Sequence, residues 1–160
     1  MKIVLIPYLS FILIFDTCYQ SKQIPMTIDK NKIIAEVKSA EDALTSALRS
    51  GQLLKGVGMH SDDSEYRNIW NGEVKTFDIL KTRINKGIEN GLLSIDYQVK
   101  SRDFKLINAE NVIETLDAIE VTTLKAKSVT SGQTAITILW QKINGEWKLG
   151  YLHASELAKE

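Results

Sequence analysis

The dipeptide Asn144-Gly145 constrains the fold of this chain most strongly, because it joins two segments of alternating apolar and polar residues. Both residues tolerate positive φ, which the type I′ turn of a tight β-hairpin requires at its two central positions. The turn sets Ile143 opposite Glu146 and thereby defines the pairing along both strands. Alternation of side chains then predicts one face that carries Lys142, Trp147, Trp140, Leu149, Ile138, Tyr151, Ile136 and His153.

Two amphipathic helices are predicted before this hairpin. Apolar residues recur at helical spacing from the N-cap Asp29 to Gly51. A second helix is predicted from Thr76 to Asn90, and Gly91 ends it. A short helical turn followed by a polar loop is expected between the two, within residues 52–65.

The remaining segments predict strands. A short strand is expected to end in a turn at Asn71-Gly72, and after the second helix the apolar period changes from about 3.6 to two. A β-bulge is expected at residues 101–103, where the alternation slips, followed by a strand over residues 112–127 and a turn at residues 130–132. The order of helices and strands predicts an α+β domain.

The first 18 residues have the composition of an export signal. Lys2 precedes an apolar stretch over residues 3–15, which is shorter than the ~20 residues that a membrane-spanning helix needs. Cys18 follows in a segment that resembles a bacterial lipobox, in which the cysteine receives diacylglycerol. We therefore expect a periplasmic or cell-envelope lipoprotein, anchored to the membrane through Cys18, with residues 19–28 as a tether. Ordinary signal cleavage without lipidation is the alternative.

Composition excludes several kinds of chemistry. The 160 residues include 20 Lys and Arg against 20 Asp and Glu, so the chain has no electrostatic basis for binding nucleic acid. This length suits one domain with a sizeable core, over residues 29–160. Cys18 is the only cysteine, so this domain has no internal disulfide, thiolate nucleophile or cysteine metal site.

Three segments at the carboxyl end share a pattern with known proteins: Ala135-Ile-Thr-Ile-Leu-Trp140, Asn144-Gly-Glu-Trp147-Lys-Leu149 and Tyr151-Leu-His153-Ala-Ser155. This pattern, with Trp70-Asn-Gly72, resembles the SnoaL-like branch of the nuclear transport factor 2-like superfamily over roughly residues 30–156. The resemblance implies a cone-shaped, cystatin-like α+β fold, in which helices pack on a curved antiparallel sheet. It also implies a pocket on the concave face and often a homodimer joined through the sheet. It does not imply one activity.

On such a fold, the hairpin face described above would be concave, so His153 is the first candidate for catalysis. A neutral imidazole with a pKa of about 6.5 serves as acid or base at physiological pH. The alternative is a histidine hydrogen-bonded to a core neighbour such as Ser155 or Tyr66. Tyr97 is expected to point inward, because it alternates with apolar residues. The predicted pocket residues are His60, Tyr66, Trp70, Tyr97, Ile138, Trp140, Tyr151 and His153.

The loop from His60 to Ser64 is expected at the pocket mouth. His60, Asp62 and Asp63 could bind a divalent ion, but Ser-Asp-Asp-Ser is also ordinary turn composition. No spacing supports a metal site through His60 and His153, and no cofactor is expected. The sequence places no carboxylate inside the cone, which weakens the case for an enzyme.

Three functions remain open at this stage. The first is an exported, lipid-anchored protein that binds a small apolar or aromatic ligand in the cone. The second is a homodimeric interaction module, in which the mixed outer face of the sheet makes the contact. The third is a cofactor-free acid–base isomerase, dehydratase or cyclase that uses His153, with Tyr97 or His60 assisting.

Overall fold

The computed structural model describes residues 28–156, so the predicted signal, Cys18 and nearly all of the tether lie outside the described residues. The elements are α1 (Lys30–Arg49), α2 (Leu53–Val57), β1 (Arg67–Trp70), β2 (Glu73–Lys75), α3 (Phe77–Glu89), β3 (Leu92–Asn108), β4 (Asn111–Leu124), β5 (Ser128–Ile143) and β6 (Glu146–Glu156). The strands form a six-stranded sheet in the order β2-β1-β6-β5-β4-β3. Neighbouring strands are antiparallel except β1 and β6. The α+β fold is as predicted.

Both predicted helices are confirmed. α1 begins after Asp29, whose carboxylate accepts a hydrogen bond from the Lys32 backbone N–H at 3.1 Å, and it ends before Gly51, which has φ of +80°. α3 lies between Thr76 and Asn90. None of the described helices is long and apolar enough to cross a membrane.

The sheet confirms one predicted irregularity and corrects one turn. The pairing of β3 with β4 shifts between Val99 and Ser101, beside the predicted bulge. The turn predicted at residues 130–132 is wrong, because β5 already begins at Ser128. The chain instead reverses at residues 125–127, where the Leu124 N–H donates to the Lys127 carbonyl at 2.8 Å. The Thr-Ser-Gly composition resembled a turn, but pairing with β4 holds this segment in the sheet.

The hairpin between β5 and β6 has the predicted turn but not the predicted register. Asn144 and Gly145 have φ of 52° and 85°, and the pairs follow the prediction from Ile143–Glu146 to Trp140–Leu149. The register then shifts by one residue at Gly150, so that Leu139 pairs with Tyr151 and Thr137 with His153. A β-bulge of this kind inserts one extra residue into a strand, so the side chains beyond it point to the opposite faces of the sheet.

The consequence of the bulge is a correction to the predicted face. Leu152 and Ala154 take the buried positions on β6, opposite Ile138 and Ile136. Tyr151 and His153 therefore lie on the outer face of the sheet, and His153 is exposed. The placement of these two side chains on the concave face was wrong, because the prediction assumed strict alternation through Gly150.

The core lies between α1, α2 and the concave face of the sheet. α1 contributes Val37, Leu44 and Leu48, all of which are buried. They join one apolar cluster with buried side chains from β4, β5 and β6, among them Leu116, Ile136, Ile138 and Leu149. α3 contributes only half-buried residues to this cluster, including Leu80 and Ile84. The space under α3 is thus incompletely filled.

Candidate functional site

A cavity of about 370 Å³ lies between the helices and the concave face of the sheet. Its walls are largely apolar, with Leu44 and Leu48 from α1, Leu80 and Ile84 from α3, and Leu116 and Ile138 from the sheet. Polar side chains interrupt these walls at separate places: Glu41, Thr45, His60, Asn68, Tyr97 and Glu120, with Glu73, Lys75 and Arg83. An apolar cavity with a few polar groups is the usual form of a small-molecule site.

His60 presents a neutral imidazole to the cavity. Its Nδ1 lies 2.7 Å from the Tyr66 hydroxyl oxygen, and burial lowers the pKa of His60 to about 4. Burial raises the pKa of Tyr66 to about 12, and a hydrogen bond from Asn68 opposes this rise. At neutral pH both side chains are therefore uncharged, and the imidazole is held in place by its tyrosine partner.

Tyr97 points into the cavity, as predicted from the alternation on β3. It pairs across the sheet with Glu120 on β4. Burial, followed by the charge of Glu120 and the hydrogen bond to it, raises the pKa of Tyr97 well above its usual value. Glu120 also accepts a hydrogen bond from the Thr122 hydroxyl at 3.0 Å. Tyr97 is therefore a neutral phenol whose position is set by a neighbouring carboxylate.

Two glutamates on the concave side contradict the expectation that the cone contains no carboxylate. Glu41 on α1 lines the cavity, and Glu114 on β4 lies behind it; their side chains are 4% and 0% exposed. The Arg102 guanidinium contacts both, with its Nε 3.2 Å from Glu114 Oε1. The Trp140 indole N–H donates to the other Glu114 oxygen at 2.8 Å.

Glu41 is held protonated in this cluster. Burial, and then the charge of Glu114, raise the pKa of Glu41 to about 8. Burial also raises the pKa of Glu114. Glu41 Oε2 and Glu114 Oε1 are buried without a hydrogen-bond partner among the described residues. Because Glu114 raises the pKa of Glu41 through its charge and a side-chain hydrogen bond, the two carboxyl groups titrate together as a pair that holds one proton. One proton and the Arg102 charge together neutralise the two carboxyl groups.

The sequence did carry a signal for these glutamates. Glu41 follows Val37 by four residues and precedes Leu44 by three, which places it on the buried face of α1. Glu114 lies between Val112 and Leu116, at the alternate positions of β4 whose side chains point inward. An acidic residue on an apolar stripe indicates a buried carboxyl group.

The predicted pocket residues divide into three groups. His60, Trp70, Tyr97 and Ile138 line the cavity. Tyr66 and Trp140 are buried on the concave side, where they bond His60 and Glu114. Tyr151 and His153 lie on the outer face, where His153 Nε2 is 3.5 Å from the Ser155 hydroxyl.

The loop after His60 forms an ordinary turn. Asp62 and Asp63 are exposed, and the Asp63 carboxylate accepts a hydrogen bond from the Glu65 backbone N–H at 2.7 Å. Within residues 28–156, no group of three or more His, Cys, Asp and Glu side chains is placed to hold a metal ion.

Comparison with known proteins shows likeness of structure without likeness of sequence. No protein-family model and no curated protein matches the chain. A proposed dehydratase of the NTF2-like family from Streptomyces avermitilis superposes with a TM-score of 0.67 at 14% identity, over 81% of this chain and 99% of its own. An NTF2-like protein with a cystatin-like fold from Novosphingobium aromaticivorans gives a TM-score of 0.61 at 7% identity, over 81% and 85%.

A third similar structure is an NTF2-like protein of unknown function in nutrient uptake from Rhodospirillum rubrum. It gives a TM-score of 0.62 at 19% identity, over 76% of this chain and 98% of its own. The chain therefore has the nuclear transport factor 2-like, cystatin-like fold, as the sequence resemblance implied. At these identities the likeness establishes the fold alone, and the activity has to be argued from the cavity.

Proposed function

We propose that this chain is a binding protein whose cavity holds a small ligand with an apolar body. The observation that carries the proposal is the cavity of about 370 Å³ with apolar walls and separate hydrogen-bonding groups. An apolar cavity of roughly 150 Å³ is large enough to bind benzene. The present cavity is more than twice that volume, which suits a ligand of about two rings.

The polar groups of the cavity support specific orientation of such a ligand. The His60 imidazole, the Tyr97 phenol and the protonated Glu41 are uncharged near neutral pH. Each is held by a neighbour, respectively Tyr66, Glu120 and the Arg102 cluster. Neutral, pre-positioned donors and acceptors bind an uncharged polar atom without the cost of ordering themselves.

A matched pair of variants tests the binding proposal. Ile138 lines the cavity, whereas its neighbour Leu139 lies on the outer face of the same strand. We expect naphthalene-2-carboxamide to bind the purified protein and quench Trp70, a lining residue. Ile138→Phe should weaken binding, because the larger side chain fills the cavity, and Leu139→Phe should leave it unchanged. Equal affinities of both variants, or no binding to the folded protein, would contradict the proposal.

We further propose that the protein is exported and anchored through Cys18. The support is the apolar stretch over residues 3–15, preceded by Lys2 and followed three residues later by Cys18. In a bacterial host fed an alkyne-tagged fatty acid, the chain should acquire the label and sediment with membranes. Cys18→Ala should remove the label. Unlabelled protein in the soluble fraction would contradict anchoring. Placement in the SnoaL-like branch stays a prediction from the sequence.

Acid–base catalysis is a second candidate, because Glu41 and His60 both line the cavity. The pKa of Glu41 is close to neutral pH, and the His60 imidazole is uncharged. His153 is replaced as the candidate catalytic residue by Glu41 and His60. Exchange of the α-protons of 2-tetralone in D₂O, followed by NMR, tests this candidate. The protein should accelerate exchange, Glu41→Gln should abolish the acceleration, and Glu89→Gln should not. Exchange no faster than in buffer with the wild-type protein would argue against catalysis of this proton transfer.

The outer face of the sheet supports a third proposal, a homodimer. Ile113, Leu139 and Tyr151 form neighbouring pairs there and remain only half-buried. A partly exposed apolar sheet face gains stability from a second copy. Sedimentation should show a dimer that Leu139→Glu dissociates and Ser46→Glu, on the exposed side of α1, does not. A wild-type monomer at all concentrations would refute it.

A further inference from the structure

Two cationic side chains at the cavity wall share one carboxylate oxygen. Glu73 Oε2 lies 3.2 Å from the Lys75 ammonium and 3.0 Å from Nη1 of Arg83. All three residues line the cavity. Their formal charges sum to one positive charge, so this part of the wall attracts a further anion.

Lys75 is the unusual member of the group. Its side chain is only 7% exposed, whereas the side chain of Glu73 is 60% exposed. A buried ammonium loses its hydration, and a solvated carboxylate returns only part of that loss because water screens the attraction. Among the described residues, Glu73 is the carboxylate that forms an ion pair with Lys75. Lys75 is thus buried with a partner that compensates it incompletely.

The fold explains how this lysine reaches the cavity. Lys75 ends β2, the strand at the edge of the sheet, and pairs with Asn68 on β1. Asn68 also lines the cavity, and its buried Oδ1 has no hydrogen-bond partner among the described residues. The turn at Asn71-Gly72 brings Glu73 to the rim. A polar site is therefore built where the cavity meets the edge of the sheet.

We infer, on the basis of the proposed ligand-binding function, that the cavity takes a ligand with an apolar body and one carboxylate, which replaces Glu73 at Lys75 and Arg83. Glu73 already demonstrates that a carboxylate oxygen fits between the two cations. Its exposure leaves it free to turn into solvent when the ligand binds. The ligand carboxylate would then be the more buried partner of Lys75, and charge-assisted bonds strengthen as water is excluded.

The rest of the cavity is compatible with a bound anion. Leu80 and Ile84, on the same helix as Arg83, provide an apolar wall beside the cations. Glu41 adds no negative charge at neutral pH, because its raised pKa keeps it protonated. Glu120, the third acidic wall residue besides Glu41 and Glu73, accepts hydrogen bonds from Thr122 and Tyr97.

Two probes of the same shape test the inference. Naphthalene-2-carboxylate is an anion at pH 7, and naphthalene-2-carboxamide is neutral. We expect calorimetry to give the carboxylate an affinity about tenfold higher, which corresponds to the lower end of the range for a hydrogen bond to a charged group. Lys75→Met should remove this preference while the carboxamide affinity changes less than about twofold. Lys81→Met, at an exposed lysine of α3, should change neither affinity.

A second variant acts in the opposite direction. Glu73→Gln removes the competing carboxylate and a like charge, so the affinity for naphthalene-2-carboxylate should rise about threefold; the rise is modest because Glu73 is exposed. Circular dichroism checks that each variant is folded. Lys75→Met is expected to fold, because an apolar side chain of similar length replaces a buried charge.

The outcomes separate the two proposals. If the folded protein binds both probes equally, or if Glu73→Gln and Lys75→Met leave the carboxylate affinity unchanged, the carboxylate site is refuted while ligand binding in the cavity stands. If the folded protein binds neither probe, the ligand-binding function itself is refuted.

Discussion

Replacing Glu41 by Gln should make this protein more stable at alkaline pH. Gln keeps the shape and a hydrogen-bond donor of the protonated carboxyl group but cannot ionise. Glu41 has its pKa raised from 4.5 to about 8 by burial and by Glu114. Between these two values the folded state binds the proton more tightly than the unfolded state does. The free energy of unfolding of the wild-type protein therefore falls as pH rises through this interval.

The size of the effect follows from 1.36 kcal/mol per pKa unit. Between pH 6.5 and 8, the wild-type free energy of unfolding should decrease by about 2 kcal/mol, because the decline levels off near the folded-state pKa of about 8. The raised pKa of Glu114 acts in the same direction. At pH 8, Glu41→Gln should exceed the wild type by up to about 4 kcal/mol, and at pH 5 the two should agree within about 1 kcal/mol.

His60 does not disturb this window. Its pKa is lowered from 6.5 to about 4, so the folded state holds the neutral imidazole. The stability that His60 contributes is complete above pH 6.5 and is lost as pH falls through about 4. Below pH 6.5, His60 and Glu41 change the free energy of unfolding in opposite directions. Above pH 6.5, its decline with rising pH comes from the glutamate pair.

Urea unfolding monitored by tryptophan fluorescence at pH 5, 6.5 and 8 provides the measurement. The control is Glu89→Gln, an exposed glutamate at the end of α3, which should keep the wild-type profile. If Glu41→Gln retains the full alkaline decline, Glu41 is not the group that binds the proton, and the argument for a neutral acid in the cavity is wrong.

Three further substitutions test the structure around the cavity. Tyr66→Phe removes the hydroxyl partner of His60 Nδ1 and should cost about 1 to 3 kcal/mol in urea unfolding; an unchanged midpoint would contradict the buried hydrogen bond. Trp140→Phe removes the N–H that donates to the buried Glu114 carboxylate and should cost a similar amount. If this variant also lost the alkaline decline in stability, the glutamate pair would not be its cause. Gly150→Ala places a Cβ against the side-chain amide of Gln141 and should lower the thermal midpoint modestly, because the flexible end of Gln141 can move aside. Adding Gln141→Ala should restore most of the loss if crowding is the cause.

Much of the fold was accessible from local patterns. The 3.6-residue period over α1, the change of period after Gly91 and the Asn144-Gly145 dipeptide correctly predicted helices, long strands and the turn of the last hairpin. These features depend on the φ preferences and side-chain periodicity of neighbouring residues, which a sequence displays directly. Tyr97 was placed inward for the same reason, since its alternation with Ile95 and Val99 is unbroken.

The prediction of which hairpin side chains share the concave face failed at one residue. Gly150 forms a bulge on β6, and a shift of one residue turns Tyr151 and His153 to the outer face. The sequence by itself therefore determined the two long helices, the long strands, the Asn144-Gly145 turn and the α+β class. Only the tertiary structure decided which side chains share a cavity, because that depends on strand register and on contacts between distant segments. Glu41 with Glu114, and Lys75 with Arg83, meet only once helix and sheet are packed together.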